Sequence, residues 1–275
     1  MSERKVKLAC VQLCSGDDIQ ENLRVASGLI RDAKAQGAKF VATPENTALM
    51  AADGGAKLQM SFSEAEDPAL PVFSGLAGEL NIWLLVGSLA IKVSETKTAN
   101  RSFLFGPDGQ LVARYDKIHL FDVNLPSGET YRESNTVEGG REAVIATLPW
   151  TKVGLTVCYD LRFPHLYRTL AKEGAEILTV PSAFTETTGK SHWHILLRAR
   201  AIENTCFVIA PAQGGLHANG RRTYGHSLIV GPWGGILAEG GTDPGVILAE
   251  VDLDRIQEVR SRLPSLDNDR PFRSG

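Results

Sequence analysis

The sequence predicts an α/β fold, with mixed β-sheets inside and helices outside. Three observations carry this. Apolar runs of strand length alternate with segments of helical spacing along most of the chain. The first strand-like run is apolar on both of its alternating faces, as expected of a strand covered on both sides. A turn sequence, Gly106-Pro107-Asp108-Gly109, lies between two further strand-like runs and adds a hairpin to the βαβ pattern.

Taken in order, Lys5–Leu13 is a strand with Val6, Leu8, Cys10 and Gln12 on one face and Lys7, Ala9, Val11 and Leu13 on the other. Asp17–Gln36 has helical spacing at Ile19, Leu23, Ala26, Leu29/Ile30 and Ala33; Asp17 or Asp18 caps its start and Gly37 ends it. Lys39–Thr43 is a second strand, stopped by Pro44, and this βαβ opening favours parallel pairing with a right-handed crossover. Pro68–Leu80 reads as a helix, Ile82–Leu89 as a strand, and Ala99–Phe105 with Gln110–Tyr115 as the hairpin. The strand Lys152–Val157 leads to a helix over Pro164–Glu173 closed by Gly174, then a strand over Glu176–Val180, a helix over Lys190–Asn204 and a strand over Cys206–Ala210. Ser227–Val230, Ile236–Ala238 and Val246–Val251 are late strands between Gly/Pro turns, and Asp254–Arg262 is a short helix. No linker, low-complexity tract or repeat interrupts the pattern, so residues 1–275 read as a single domain with an extended, polar tail from about 264.

Composition narrows the function. The chain is 43% hydrophobic and 22% charged with a formal net charge of −3, and no Lys/Arg run exceeds two residues, which argues against nucleic-acid binding. No apolar run approaches the roughly 20 residues that span a bilayer. The charged N-terminus leads into a short strand rather than a signal core, and the four cysteines, Cys10, Cys14, Cys158 and Cys206, contain no C-x-x-C pair. The expectation is a cytoplasmic protein with free thiols.

Three segments carry chemistry. Cys158 follows the apolar strand Val153–Val157 and precedes Tyr159–Pro164, where a helix is expected to begin. A thiol at such a corner, partly exposed and near the positive end of a helix dipole, is set up to react, although a free cysteine can equally be a small packed hydrophobe. Glu45, in Thr43-Pro44-Glu45-Asn46, lies just past a strand's carboxyl end, where ligands gather in open α/β sheets. Partly desolvated there, it can carry a raised pKa and serve as a general base; alone, it could also be a capping or solvated loop residue. Lys117, in Arg114–Phe121, follows the second hairpin strand among apolar and aromatic residues and can hold charge against an oxyanion, or be an ordinary surface lysine. Together they supply the base, the oxyanion stabiliser and the nucleophile that acyl transfer at an amide needs.

With these motifs, Thr43–Asn46, Tyr115–Phe121 and Gly154–Phe163, the sequence resembles the nitrilase superfamily of carbon–nitrogen hydrolases from Val6 to about Leu253. The resemblance implies a four-layer αββα sandwich that pairs into homodimers or higher homo-oligomers. It implies Glu45 as base, Lys117 as oxyanion holder, Cys158 as nucleophile and Glu133, in Tyr131-Arg132-Glu133-Ser134, as a second glutamate supporting the lysine and the substrate amide. The implied reaction is a two-step transfer through a Cys158 thioester that releases ammonia and then a carboxylic acid, with the backbone N–H of Tyr159 as a second oxyanion donor and no metal or organic cofactor. Within the superfamily, Pro181–Gly189, His192-Trp193, Leu197–Asn204 and Arg221–Ser227 look like the branch of deaminated-glutathione amidases and the neighbouring ω-amidases. That implies a small, carboxylate-bearing amide substrate and a metabolite-repair role.

Arg162, four residues after the nucleophile, is a candidate carboxylate clamp, or a structural arginine joining helix and loop. Phe184, Thr185 and Thr188 follow a strand end and can line the pocket or simply pack the loop. His194 departs from relatives that carry an acid directly after the His-Trp pair, so specificity here can differ. A zinc reading of His192 and His194 is rejected, because an H-x-H pair on a helix points to different faces and no third ligand is placed. The rival functions are an ω-amidase for 2-oxoglutaramate, an N-carbamoyl amide hydrolase, and a non-catalytic scaffold.

Overall fold

The computed structural model describes residues 4–126, 128–273 and 275. Two large mixed sheets lie face to face. The first runs Gly245–Asp252, Lys5–Gln12, Phe40–Ala42, Trp83–Lys92, Thr98–Phe105 and Leu111–Asp116, with Val137–Glu138 pairing the fifth of these. The second runs Ile236–Glu239, Leu228–Val230, Phe207–Ala210, Ile177–Thr179, Thr151–Leu155 and Val144–Leu148. The βαβ opening pairs in parallel, Leu8 with Phe40 and Cys10 with Ala42, while the hairpin around Gly109, at φ +76°, is antiparallel.

The period-two pattern of the first strand decides which layer each side chain enters. Val6, Leu8 and Cys10 join Phe40, Leu85 and Leu104 in the core shared with the second sheet. Ala9, Val11 and Leu13 turn the other way, beneath helices α1 (Ile19–Ala35) and α3 (Ala69–Leu80); a short α2 (Gly54–Met60) precedes α3. Helices α4 (Pro164–Lys172) and α5 (Glu186–Asn204) cover the second sheet through Leu166, Leu170, Trp193 and Leu197. The result is the expected αββα order. Asp18 caps α1 by accepting from the Glu21 N–H, and Gly37 follows it at φ +91°.

Helix α4 begins at Pro164, where the sequence places it; Cys158–Arg162 before it form a 3-10 turn, and Phe163, driven to extended backbone by the following proline, takes φ −113°, ψ 85°. Two local expectations are corrected. Helix α5 begins a turn earlier than its apolar spacing suggests, capped by Thr185, whose Oγ1 accepts from the Thr188 N–H. The tail is not simply extended beyond 264, since Ser265–Asn268 form turns and Leu266 packs on the core. Helix α2, the small hairpins Asp122–Asn124/Thr130–Arg132 and Gly214–Leu216/Arg222–Tyr224, and the strand Val144–Leu148 were not anticipated. A short helix α6 (Asp254–Arg262) falls where the sequence places it. Among the described residues no helix is long and apolar enough to cross a membrane.

Candidate active site

The carboxyl ends of the parallel strands Phe40–Ala42, Thr151–Leu155 and Ile177–Thr179 open into one cavity of about 580 Å³. Glu45, Lys117, Glu133, Cys158, Tyr159, Arg162, Phe184, Thr185 and Thr188 all line it. Every side chain singled out from the sequence as catalytic or substrate-binding therefore reaches the same space.

Glu45 sits in a loop clamped from both sides. Thr43 Oγ1 meets Thr47 Oγ1 at 2.7 Å and accepts from the Gly87 N–H, and Asn46, at φ +57°, donates its N–H to Ser88 Oγ. The fit leaves no room at Gly87: a Cβ there would lie 2.0 Å from the Thr43 carbonyl oxygen. Both oxygens of Glu45 are occupied. Oε1 accepts from Lys117 Nζ and from Asn100 Nδ2, each at 2.9 Å, and Oε2 accepts from the Ala183 N–H at 2.9 Å. The Cys158 thiol lies close enough to this carboxylate for each to shift the other's pKa.

Lys117 is 2% exposed and held between two carboxylates, with Nζ 2.9 Å from Glu45 Oε1 and 2.8 Å from Glu133 Oε2. Glu133 is fixed in turn by the Phe121 N–H at 2.6 Å and Asn100 Nδ2 at 3.1 Å. Burial pulls the Lys117 ammonium down, but the carboxylates of Glu133 and Glu45 outweigh it and hold it well above the usual lysine range. It is no surface lysine.

Cys158 follows the strand Thr151–Leu155 at φ +52°, a conformation that costs a non-glycine residue and is held by its N–H bond to the Pro181 carbonyl at 2.9 Å. Two expectations about its chemistry are reversed. The thiol is 7% exposed rather than partly open, and burial pushes its pKa up, with the Glu45 carboxylate adding to the rise and Lys117 opposing it. The resting sulfur is a protonated thiol. Nor is Glu45 a carboxyl with a raised pKa: burial pushes it up, but Lys117 and the hydrogen bonds from Cys158 and Lys117 bring it down to about 2.

Asp160 was not singled out, yet it joins the two motifs. It is fully buried; Oδ2 accepts from the Tyr115 hydroxyl at 2.6 Å and the Val157 N–H at 2.9 Å, and Oδ1 from the His119 N–H at 3.0 Å. Tyr115 and His119 stand two residues either side of Lys117, so Asp160 sets the cysteine turn against the lysine segment. Lys57 and Arg221 are further lining residues that sequence reasoning missed. Lys57 Nζ donates to Asn46 Oδ1 at 2.9 Å, and burial lowers its pKa against the pull of Glu133 and Glu45. Arg221 donates to the Ala183 carbonyl at 2.7 Å and lies over the Tyr131 ring.

Arg162 stacks near the rings of Tyr159 and Phe184, 5.8 and 5.5 Å from their centroids, and its hydrogen-bond contact is with the His192 ring at 3.3 Å. Among the described residues neither Arg162 nor Arg221 pairs with a carboxylate, so both guanidiniums keep charge to offer the cavity. His192 and His194 do face different ways, as expected of i, i+2 positions on α5. The concern that His194 shapes the pocket is not sustained, because it is not among the lining residues and instead meets Glu239.

A thiol, a carboxylate and an ammonium in one pocket are the components of amide hydrolysis through a cysteine, and comparison with known proteins agrees. The carbon-nitrogen hydrolase family model matches residues 7–261. The chain belongs to the carbon–nitrogen hydrolase family. It is 44% identical over 265 residues to a deaminated glutathione amidase of Synechocystis sp., covering 94% of this chain and 96% of that one. Its fold superposes on the crystal structure of the C. elegans NitFhit protein with a TM-score of 0.91 at 34% identity, covering 98% of this chain and spanning 66% of that chain. A mutant amidase from Nesterenkonia sp. AN1, 27% identical with a TM-score of 0.79, covers 94% of this chain and 98% of its own, and carries the Michael adduct of acrylamide on its active-site cysteine. As a member of this family, the chain is an amidase acting on carbon–nitrogen bonds.

Proposed function

We propose that this chain hydrolyses deaminated glutathione through a thioester on Cys158. One observation supports this above the rest: the Cys158 thiol, the Glu45 carboxylate and the Lys117 ammonium, the last two hydrogen-bonded at 2.9 Å, line one cavity with two further guanidiniums, Arg162 and Arg221. Glu45 takes the thiol proton as the sulfur attacks the amide carbon. Because the resting thiol is held protonated and Glu45 ionised, transfer accompanies attack rather than preceding it. Negative charge passes from Glu45 through sulfur to the carbonyl oxygen, always within reach of Lys117, so the site never carries an uncompensated charge. The Tyr159 N–H, in the first turn of a 3-10 segment and without a partner inside it, is the second oxyanion donor. Glu133 holds Lys117 in place. Glu45 returns its proton to the leaving nitrogen, then activates the water that breaks the thioester.

The leaving group differs from the sequence-based expectation of ammonia. Glutathione whose amino group has been replaced by an oxo group retains two secondary amides and no primary amide. Cleavage at the γ-amide expels an amine, cysteinylglycine, and leaves a 2-oxo dicarboxylic acid. The substrate carries a carboxylate at each end, which the pair Arg162 and Arg221 supports; Phe184, Thr185 and Thr188 complete the wall around it. The rival substrates 2-oxoglutaramate and carbamoyl-β-alanine carry one carboxylate each. Steady-state rates on all three decide between them: deaminated glutathione is expected to give the highest kcat/KM, and a higher value on either rival overturns the substrate assignment.

The same reading makes residues 1–275 one hydrolase unit, working as a homodimer in a reducing cytoplasm. Four free cysteines support the compartment. Exposed Ile195, Ile202 and Trp233 on the α5 side support self-association.

A further inference from the structure

Away from the pocket, three groups able to bind a metal converge where the sequence placed no third ligand. His194 is on α5, His226 lies just before the strand Leu228–Val230, and Glu239 ends the strand Ile236–Glu239. His194 Nε2 is 2.9 Å and His226 Nδ1 3.1 Å from the same oxygen, Oε1 of Glu239. All three ligand atoms lie within 4.8 Å of one another. The side chains are 29%, 28% and 38% exposed, so one side of the cluster opens to solvent.

The two imidazoles are held before any ligand arrives. His226 takes φ +53° after Gly225 at φ +69°; its N–H donates to the Gly241 carbonyl at 2.8 Å and its carbonyl accepts from Trp193 Nε1 at 2.7 Å. The Tyr224 ring stacks on His226 with centroids 4.4 Å apart and meets His194 edge-on at 6.0 Å. Left-handed backbone at a histidine persists only where surrounding contacts enforce it. Here they aim Nδ1 at the carboxylate.

We propose that His194, His226 and Glu239 form a binding site for a divalent transition metal of the Zn²⁺ type, with one coordination position open to solvent, which fastens α5 to the edge of the second sheet. Two imidazole nitrogens and one carboxylate oxygen are a donor set that Zn²⁺ accepts, with a water as fourth ligand. At zinc–ligand distances of about 2.0–2.2 Å, tetrahedral neighbours stand roughly 3.3–3.6 Å apart. The carboxylate needs to retreat from each imidazole by a few tenths of an ångström, and the two ring nitrogens, within 4.8 Å of each other, to close by up to about an ångström through rotation of the partly exposed side chains. Each ring proton now shared with Glu239 leaves its nitrogen, moving to the other ring nitrogen of a neutral imidazole or to solvent from a charged one. The ion takes no part in the amide chemistry, since none of its ligands lines the cavity.

The test uses the whole chain freed of metal by chelation. Co²⁺ is titrated while its visible absorption is followed, Zn²⁺ is added as competitor, and the thermal midpoint is recorded with and without Zn²⁺. The expected result is one Co²⁺ per chain, displaced by Zn²⁺, with a rise in the midpoint. Glu239→Gln and His194→Ala should each weaken binding about tenfold or more and lose the Zn²⁺-induced rise, while keeping wild-type far-UV circular dichroism and amidase activity. Glu239→Gln preserves the side chain's shape, so it reports on the ligand even if His226→Ala fails to fold. Absence of stoichiometric Co²⁺ binding overturns the proposal. So does affinity unchanged in both variants, or a sulfur-to-cobalt charge-transfer band, which would put the ion on a cysteine instead.

Discussion

Lys117 carries more of the electrostatics than any other side chain in the pocket. It neutralises one buried and one half-buried carboxylate, lowers the pKa of the buried one and opposes the rise in the thiol's. Removing one member of such a set leaves the others buried and uncompensated, which costs about 3–5 kcal/mol. Lys117→Met is therefore expected to lower the urea midpoint by that equivalent and to abolish turnover, measured by chemical denaturation and product assay. Arg162 makes a contrasting case. Its contacts are two aromatic faces and an imidazole, so its loss leaves no buried charge unpaired. A charge-assisted hydrogen bond to substrate carboxylate contributes about 1.5–3 kcal/mol. Arg162→Gln should raise KM for deaminated glutathione by roughly ten- to hundredfold on that basis, with the thermal midpoint unmoved; an unchanged KM would make Arg162 a purely structural residue.

Between elements, the decisive contact is Asp160. Through it the turn after Thr151–Leu155 is tied to the segment after Leu111–Asp116, one from each sheet. Asp160→Ala strands the Tyr115 hydroxyl and the Val157 and His119 N–H groups, at about 1–3 kcal/mol for each donor left buried without a partner. The expected outcome is a chain that unfolds at much lower urea or fails to accumulate as soluble protein. Gly87→Ala should be similarly damaging, because its Cβ would meet backbone that cannot yield. Sequence patterns could not reveal these contacts. Glu45, Lys117 and Cys158 each lie just past a strand, a local pattern that singles them out as candidates. Asp160 meets Tyr115 across 45 positions and Asn100 meets Glu45 across 55, so nothing in their own neighbourhoods marks them. Glu133, in a one-turn 3-10 segment without periodicity, could be found only through family resemblance. No residue of helix α2 is fully buried, so it has no apolar face to read. The first turn of α5, Glu186-Thr187-Thr188-Gly189, is poor in helix formers; Gly189 is needed because a Cβ would run into the Tyr224 ring at 2.2 Å. Burial itself was only half legible: the apolar strands announced a core, but the full enclosure of Lys117 and Cys158 arises where two sheets meet.

At the scale of the molecule, stacking two sheets brings chain segments more than a hundred residues apart into one pocket, and its electrostatics make stability depend on pH. Glu45 has its folded-state pKa lowered to about 2 from an ordinary value of 4.5. A carboxyl depressed in this way binds its proton less readily when folded, so its contribution is fully present above the unfolded value and is lost as pH falls from about 4.5 towards 2. The difference in urea-unfolding free energy between the wild type and Glu45→Gln should therefore shrink as pH drops through that window and stay level above it. The central claim is that this architecture delivers Cys158 to the substrate carbonyl as the bond-forming atom. Quenching the enzyme in acid during turnover of deaminated glutathione, then mapping its peptides by mass spectrometry, tests this most directly. The predicted result is the substrate's 2-oxo acyl group attached to the Cys158 peptide and missing from Cys158→Ala. Turnover that persists in Cys158→Ala, or an acyl group carried on any other residue, would contradict it.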